Sequence, residues 1–235
     1  MPLDRSLIST LPLFEGFGPE ELDDVLAAAR SQHEPKNAHL FEQGAEATRF
    51  FLLLHGRVRA YKVTPDGEQI VMRFVGPGEL FGIAPAMGAR VYPANAVAVV
   101  DSVVLVWPSA LWPAMAARHP RLAGGMMRTL GEQLHEAHTR VAEMSTQAVE
   151  RRVANALLRL AAQGGRKDKD GIAFDFPISR QDIAEMTGTT LFTVSRVFTG
   201  WEASGLLSTG RQKILIRDPH RLAVLADGDA APCPN

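Results

Sequence analysis

The hydrophobic period of this chain changes abruptly near Pro108, and that change constrains its architecture more than any other feature. From Phe50 to about Pro108 short apolar and polar runs alternate, as in RFFLLLHGRVRAYKV, IVMRFV and ANAVAVVDSVVLVWP, broken by Gly, Pro and Asp-Gly. A period of two interrupted in this way specifies antiparallel strands closing a small barrel or sandwich. Thr64-Pro65-Asp66-Gly67 is the clearest hairpin turn, and GPEELDDVLAAARSQ upstream reads as a short amphipathic helix.

Beyond Pro108 the period lengthens. Met127, Leu130, Leu134, Ala137, Val141, Met144 and Ala148 follow at alternating steps of three and four, with Glu132, Gln133, Glu136 and Arg140 on the other faces. This is the a/d pattern of a coiled coil, and a seam that narrow suits a partner helix. The expected dimer interface is therefore Met127, Leu130, Leu134, Ala137, Val141 and Met144; the alternative is that the helix lies on its own barrel. A second helix over AVERRVANALLRLAAQ then runs into GGRKDKDG, read as a solvated loop.

The segment SRQDIAEMTGTTLFTVSRVFTGWEASGL places two helices either side of a glycine. Ser179 with Asp182 three residues on approaches a capping box, and Ile183, Ala184 and Met186 point inward. Gly188 ends that helix, and Thr189 or Thr190 can cap the next. Its buried stripe would be Val194, Val197, Phe198 and Trp201, leaving Leu191, Phe192, Thr193, Ser195 and Arg196 at or near the open face. After Gly205, LLSTGRQKILIRD reads as a hairpin with Arg211 and Lys213 near its tip. Helix, turn, helix and basic hairpin make a winged helix-turn-helix. Such a unit would set Ser179, Arg180 and Gln181 on the phosphate backbone and present Thr190, Phe192, Thr193, Ser195 and Arg196 to the major groove, with Arg211 on the wing.

Charge supports that reading. From Gln147 onward there are 12 Lys/Arg against 10 Asp/Glu, and before it 13 against 16, so the two parts carry +2 and −3. The C-terminal part leans towards a polyanion partner. Cys233 is the single cysteine, which excludes a disulfide framework and fits a reducing cytoplasm. No apolar run approaches the roughly 18 residues of a membrane span, and the N-terminus lacks a signal layout. No nucleophile elbow and no Walker-type loop is present; Glu132, His135 and His138 would need ligands from other helices to make a metal-dependent enzyme, which stays a remote alternative.

The stretches LFEQGAEATRFFLLLHGRVRAYK, GPGELFG, YPANAVAV and ISRQDIAEMTGTTLFTVSRVF together resemble the CRP/FNR transcription regulators, over roughly Leu11 to Leu225. The resemblance implies an α+β fold: a cyclic-nucleotide-binding-like β-roll sensor domain over 1–119, a dimerisation helix over 120–146, a winged helix-turn-helix over 147–226 and a disordered tail over 227–235. It implies a cytoplasmic homodimer on a palindromic site in double-stranded DNA, with RNA polymerase as the target of activation and no membrane.

The departures concern the signal. Members that bind cyclic AMP carry a glutamate for the ribose and an arginine-hydroxyl pair for the phosphate; here Ile83 and Tyr92-Pro93-Ala94 stand in those places, Arg90 lies two residues early, and Ala137-His138 occupy the adenine positions. A cyclic phosphate buried without a cation is costly, so these departures argue against cyclic AMP. One cysteine cannot hold an iron–sulfur cluster. What remains resembles the cluster-free, nitric-oxide-responsive NnrR/DNR branch, which makes haem a candidate cofactor. The expected effector pocket is apolar, lined around Phe81, Ile83, Tyr92, Val97 and Leu134, with His138 at its edge as the candidate haem ligand and no cation placed for a phosphate. A regulator active without any effector is the alternative. At Phe192, where well-known members carry a glutamate that reads cytosine, only an apolar contact such as a thymine methyl is available.

Overall fold

The structure, a computed structural model, describes residues 8–228. Of the expected tail over 227–235, Asp227 ends a helix and Gly228 caps it; the rest, Cys233 included, lies outside the described residues. Among the described residues the chain divides into two compact units, one of residues 8–68 and 72–137 and the other of residues 69–71 and 138–228. The division at Ala137/His138 falls inside the long helix and at neither of its ends.

In the first unit, strands β1 (Arg30–Glu34), β2 (His39–Phe41), β3 (Arg49–His55), β4 (Val58–Val63), β5 (Gln69–Val75), β6 (Leu80–Phe81), β7 (Asn95–Ala98) and β8 (Ser102–Pro108) form two four-stranded sheets, ordered β1-β8-β3-β6 and β2-β7-β4-β5. Helix α1 (Pro19–Ala27) precedes them, and α2 (Trp112–Arg118) and α3 (Pro120–Thr146) follow. The β4–β5 turn is the expected one: Gly67 has φ +84° and its N–H donates to the Thr64 carbonyl at 2.9 Å.

Strand β3 departs from period two. Phe50, Phe51, Leu52 and Leu53 are all buried, because both faces of its sheet are covered. Phe51 and Leu53 join Val58, Val75, Ala96 and Val104 between the sheets. Phe50 and Leu52 join Leu22 and Val25 of α1, Trp107 of β8, and Leu122 and Met126 of α3 on the outer face. The Trp107 indole N–H is satisfied by the Val25 carbonyl at 2.9 Å. A strand buried on two sides loses its alternation. Gly82 is needed where it stands: at φ +69°, a Cβ there would lie 2.9 Å from the Phe51 ring.

The second unit contains α4 (Val149–Gly164), β9 (Gly165–Asp168), β10 (Gly171–Phe174), α5 (Arg180–Thr187), α6 (Leu191–Ala203), β11 (Leu207–Gly210), β12 (Lys213–Ile216) and α7 (Pro219–Asp227). Its sheet runs β11-β12-β10-β9. GGRKDKDG is therefore a hairpin and not a loop; Arg166, Lys167 and Asp168 are exposed on an edge strand, where charge is tolerated and blunts further pairing. Ala148 lies outside α3, as the extended residue preceding α4, so the apolar seam ends at Met144. Val153, Leu157, Ile183, Val194, Phe198, Trp201 and Ile216 are buried; Val197, expected among them, is only half-buried.

Gly171 joins β9 to β10 at φ +144°, with an added Cβ only 2.0 Å from the Ile216 carbonyl oxygen of β12. Backbone strain and a clash with backbone coincide there. Gly171→Ala is expected to destabilise the second unit by more than about 2 kcal/mol, seen as a lowered thermal midpoint; an unchanged midpoint would show that the strands can part cheaply.

Candidate nucleic-acid interface and ligand pocket

Two caps set the reader's geometry. Ser179 Oγ accepts from the Asp182 N–H at 3.0 Å, while Asp182 Oδ2 accepts from the Ser179 N–H at 2.8 Å and from Ser179 Oγ at 2.6 Å. This reciprocal box starts α5. Gly188, at φ +60°, ends it, and its N–H donates back to Ala184. Thr190 Oγ1 then accepts from the Thr193 N–H at 3.1 Å and lies 3.0 Å from Thr193 Oγ1. Of the two threonines expected as caps, Thr190 is the one used.

The first turns of α6 face outward. Leu191 and Phe192 are 47% and 77% exposed, Arg196 is exposed, and Thr193 and Ser195 are half-buried. One groove brings Ser179, Arg180 and Gln181 beside Leu191 and Lys213 of the wing. Arg211 is exposed in the turn between β11 and β12, next to Gln212 at φ +57°. Gln181 is exposed and donates to Glu185 at 2.9 Å.

Arg180, expected on the phosphate backbone, also makes contacts within its own unit. Its Nη2 donates to Thr209 Oγ1 at 2.9 Å, lies 3.7 Å from Glu202 Oε2, and the guanidinium sits 5.7 Å from the Phe198 ring centroid. Glu202 Oε1 in turn accepts from the Thr209 N–H at 2.9 Å and from its Oγ1 at 2.5 Å. Arg180 thus braces α5 against α6 and the wing. Neither Glu202 nor Thr209 announced this, since the three residues span 29 positions and meet only in the fold.

In the first unit a cavity of about 120 Å³ is lined by Phe41, Arg73, Val75, Leu80, Phe81, Ile83, Met87, Tyr92, Pro93 and Gln133, among others. Phe81, Ile83 and Tyr92 stand where expected. Val97, Leu134 and His138 do not line it: Val97 is buried on β7, while Leu134 and His138 are exposed. Arg73, a cation that the sequence reading did not place here, also lines the cavity. Its Nη1 donates to Glu79 Oε2 at 2.7 Å and its Nη2 to the Leu80 carbonyl at 3.2 Å, while Glu79 Oε1 accepts from the Gly76 N–H at 2.9 Å. A lone arginine within the otherwise apolar IVMRFV strand was the available signal.

Tyr92 stacks on Phe41 at 4.0 Å between centroids. Its hydroxyl donates to the Arg49 carbonyl at 2.6 Å and accepts from the Arg49 N–H at 3.2 Å. Burial pushes this phenol above its ordinary range, against the opposing pull of the Arg49 backbone bond and the Arg49 charge. The lining offers no imidazole, its groups of axial-ligand type being the Met87 thioether and a Tyr92 hydroxyl already bonded to Arg49, and its volume falls well short of the roughly 300 Å³ at which cofactor-sized pockets begin, so the cavity does not fit haem. Among the described residues no group of three or more His, Cys, Asp or Glu could hold a metal ion.

Comparison with known proteins places these features. Residues 32–119 match the cyclic nucleotide-binding domain, and residues 151–225 match the Crp-like helix-turn-helix domain. The cyclic AMP receptor protein of Thermus thermophilus is 30% identical, over 92% of this chain and 97% of its own length. The chain belongs to the CRP/FNR family of transcription regulators. The transcriptional activator protein FnrA of Stutzerimonas stutzeri is 29% identical, over 89% of this chain and 84% of its own. The structure of FixK2 from Bradyrhizobium japonicum superposes with a TM-score of 0.74 at 25% identity, covering 87% of this chain and 99% of that one. As a CRP/FNR regulator the protein binds DNA and is not an enzyme. Among the described residues no helix is long and apolar enough to cross a membrane.

Tyr92→Phe keeps the stack on Phe41 and removes both Arg49 bonds. A stability loss of about 1–3 kcal/mol is expected, read by chemical denaturation; an unchanged midpoint would mean the hydroxyl contributes nothing to the pocket wall.

Proposed function

We propose that this regulator works as a homodimer on a two-fold symmetric promoter site, acts there on RNA polymerase, and is controlled by a signal other than a cyclic nucleotide. The dimer reading rests on one observation. Along α3, Met127, Leu134, Val141 and Met144 are 68%, 58%, 63% and 45% exposed, forming an apolar stripe with no cover in the single chain. Leu130 and Ala137 between them are half-buried. Repeated every seven residues, such a stripe is what a second copy of the same helix covers. Two-fold pairing would present the two α6 helices to half-sites about 34–36 Å apart.

The signal reading draws on the cavity. Ile83 offers no carboxylate for a ribose, Pro93 and Ala94 offer no charge, and the Arg73 charge is matched by Glu79. Haem with nitric oxide, the signal that the NnrR/DNR resemblance suggests, is set aside because the cavity is too small to hold it.

Leu134→Lys with Val141→Lys would set like charges face to face along the stripe. Both side chains are exposed in the single chain, so the fold should survive while the protein becomes monomeric at micromolar concentration. Light scattering that still finds a dimer would move the interface elsewhere.

At the reader, Arg196→Ala should weaken binding to the selected site between several-fold and about a hundredfold, the worth of one good base or phosphate contact at roughly 1–3 kcal/mol. Replacing individual thymines by deoxyuridine in that site should expose one position where the lost methyl matters to the wild type and not to Phe192→Ala. Arg196→Ala bound at full strength, or a strict G·C preference opposite Phe192, would contradict this use of α6.

A further inference from the structure

We propose that the β-roll cavity takes a compact, uncharged, largely apolar molecule with one hydrogen-bond acceptor, and that the side-chain amide of Gln133 on α3 receives that acceptor. This rests on the reading of the protein as a ligand-controlled regulator and names the class of ligand.

Size comes first. At about 120 Å³ the cavity is comparable to the roughly 150 Å³ apolar cavity that takes up benzene, so it has room for one ring with a small substituent. Its walls suit a ring: Phe41, Phe81, Ile83 and Tyr92 supply aromatic and aliphatic surface. The Tyr92 hydroxyl is committed to both backbone groups of Arg49, so the cavity meets the ring and not the phenol.

Charge decides the rest. The Arg73 guanidinium is already neutralised by Glu79 at 2.7 Å and anchored on the Leu80 carbonyl. A carboxylate or phosphate entering this space would arrive as an excess negative charge, or would take Arg73 and leave Glu79 without its partner. Both routes cost free energy beside a largely apolar wall. A neutral molecule meets no such penalty.

The polar anchor is a donor without an acceptor. Gln133 Nε2 is buried and has no hydrogen-bond partner, although the residue lines the cavity. Buried donors are almost always satisfied, and an unsatisfied one calls for an explanation. A carbonyl, ether or similar acceptor on a bound molecule supplies it. Because Gln133 belongs to the same helix as the apolar stripe, a ligand held there touches both the strand wall and the helix.

The test uses the full-length protein with labelled isoleucine methyl groups, following the Ile83 resonance on titration with three probes of one shape. Acetophenone carries a neutral acceptor, ethylbenzene lacks it, and benzoate adds a charge. Acetophenone should bind saturably in the millimolar range, about three- to tenfold tighter than ethylbenzene, as for one neutral hydrogen bond, and tighter than benzoate. In Gln133→Leu the preference for acetophenone over ethylbenzene should vanish while ethylbenzene still binds; in Ile83→Trp, checked as folded by circular dichroism, neither should bind. Benzoate binding the tightest, a preference that survives Gln133→Leu, or no binding by either neutral probe would overturn the proposal. Binding of the selected DNA site is measured on the same preparation without probes. Intact DNA binding with failed probes condemns the ligand class alone, whereas loss of both condemns the regulator reading as well.

Discussion

A 27-residue helix about 40 Å long that covers only part of its surface with its own chain sets the terms for everything else here. Near its start, Leu122 and Met126 of α3 are buried on the outer face of the β-roll with Phe50, Leu52 and Trp107. Further along, the apolar stripe of Met127, Leu134 and Val141 faces water. Most helical stability in proteins comes from packing an apolar face, not from propensity. A helix interrupted by Gly124, Gly125 and Gly131 needs that packing more than most. In the homodimer proposed above, a second copy would cover the stripe and would at the same time fix a two-fold relation between two DNA readers.

Reading DNA by a short helix demands that its angle be held by something other than the helix itself. In the second unit that work is done by polar contacts at the edges of an apolar core. Arg180, Glu202 and Thr209 tie α5, α6 and β11 together. The Trp201 indole N–H donates to Glu150 at 2.7 Å, joining α6 to α4, and Arg152 Nε donates to the Thr187 carbonyl at 3.0 Å, joining α4 to the end of α5. Each contact also satisfies a group that would otherwise be left half-buried without a partner. What these contacts leave at or near the open face of α6 is chemically sparse: the adjacent Leu191 and Phe192, Thr193 and Ser195, and Arg196. Of these, Arg196 is the side chain suited to a guanine, while the apolar pair leans towards a thymine methyl.

The parts of this architecture that were legible in the sequence are those encoded by short spacing. The change of period near Pro108, the Ser179/Asp182 box, the Thr64–Gly67 turn and the seven-residue stripe are all local, and each appears in the structure. Long-range burial was not legible. Period two failed at β3 because α1 and α3 cover its outer face, which no local pattern states. GGRKDKDG looked like a loop because an exposed edge strand carries the same charged residues as a loop. Helix α7 went unread although Asp218 caps it, accepting from the Arg221 N–H, and Pro219 opens it. The polar side of the cavity was missed for the same reason as the Arg180 brace: Arg73 and Gln133 come from elements 60 residues apart.

The cavity also shows why matching a cyclic nucleotide-binding domain is compatible with a different ligand. The β-roll supplies a walled space; which charge that space tolerates is set by a few side chains within it. Ile83 removes a carboxylate, Pro93 and Ala94 contribute no cation, and the arginine that is present enters on β5 with its own counter-ion, Glu79. A phosphate approaching Arg73 would have to displace or share a carboxylate held by Arg73 on one oxygen and by the Gly76 N–H on the other. That exchange gains one charge pair by breaking another and leaves Glu79 facing the incoming anion. On the reading proposed above, the pair would disfavour anions even though a guanidinium lines the wall, and the unsatisfied donor of Gln133 would be the group that discriminates among neutral molecules.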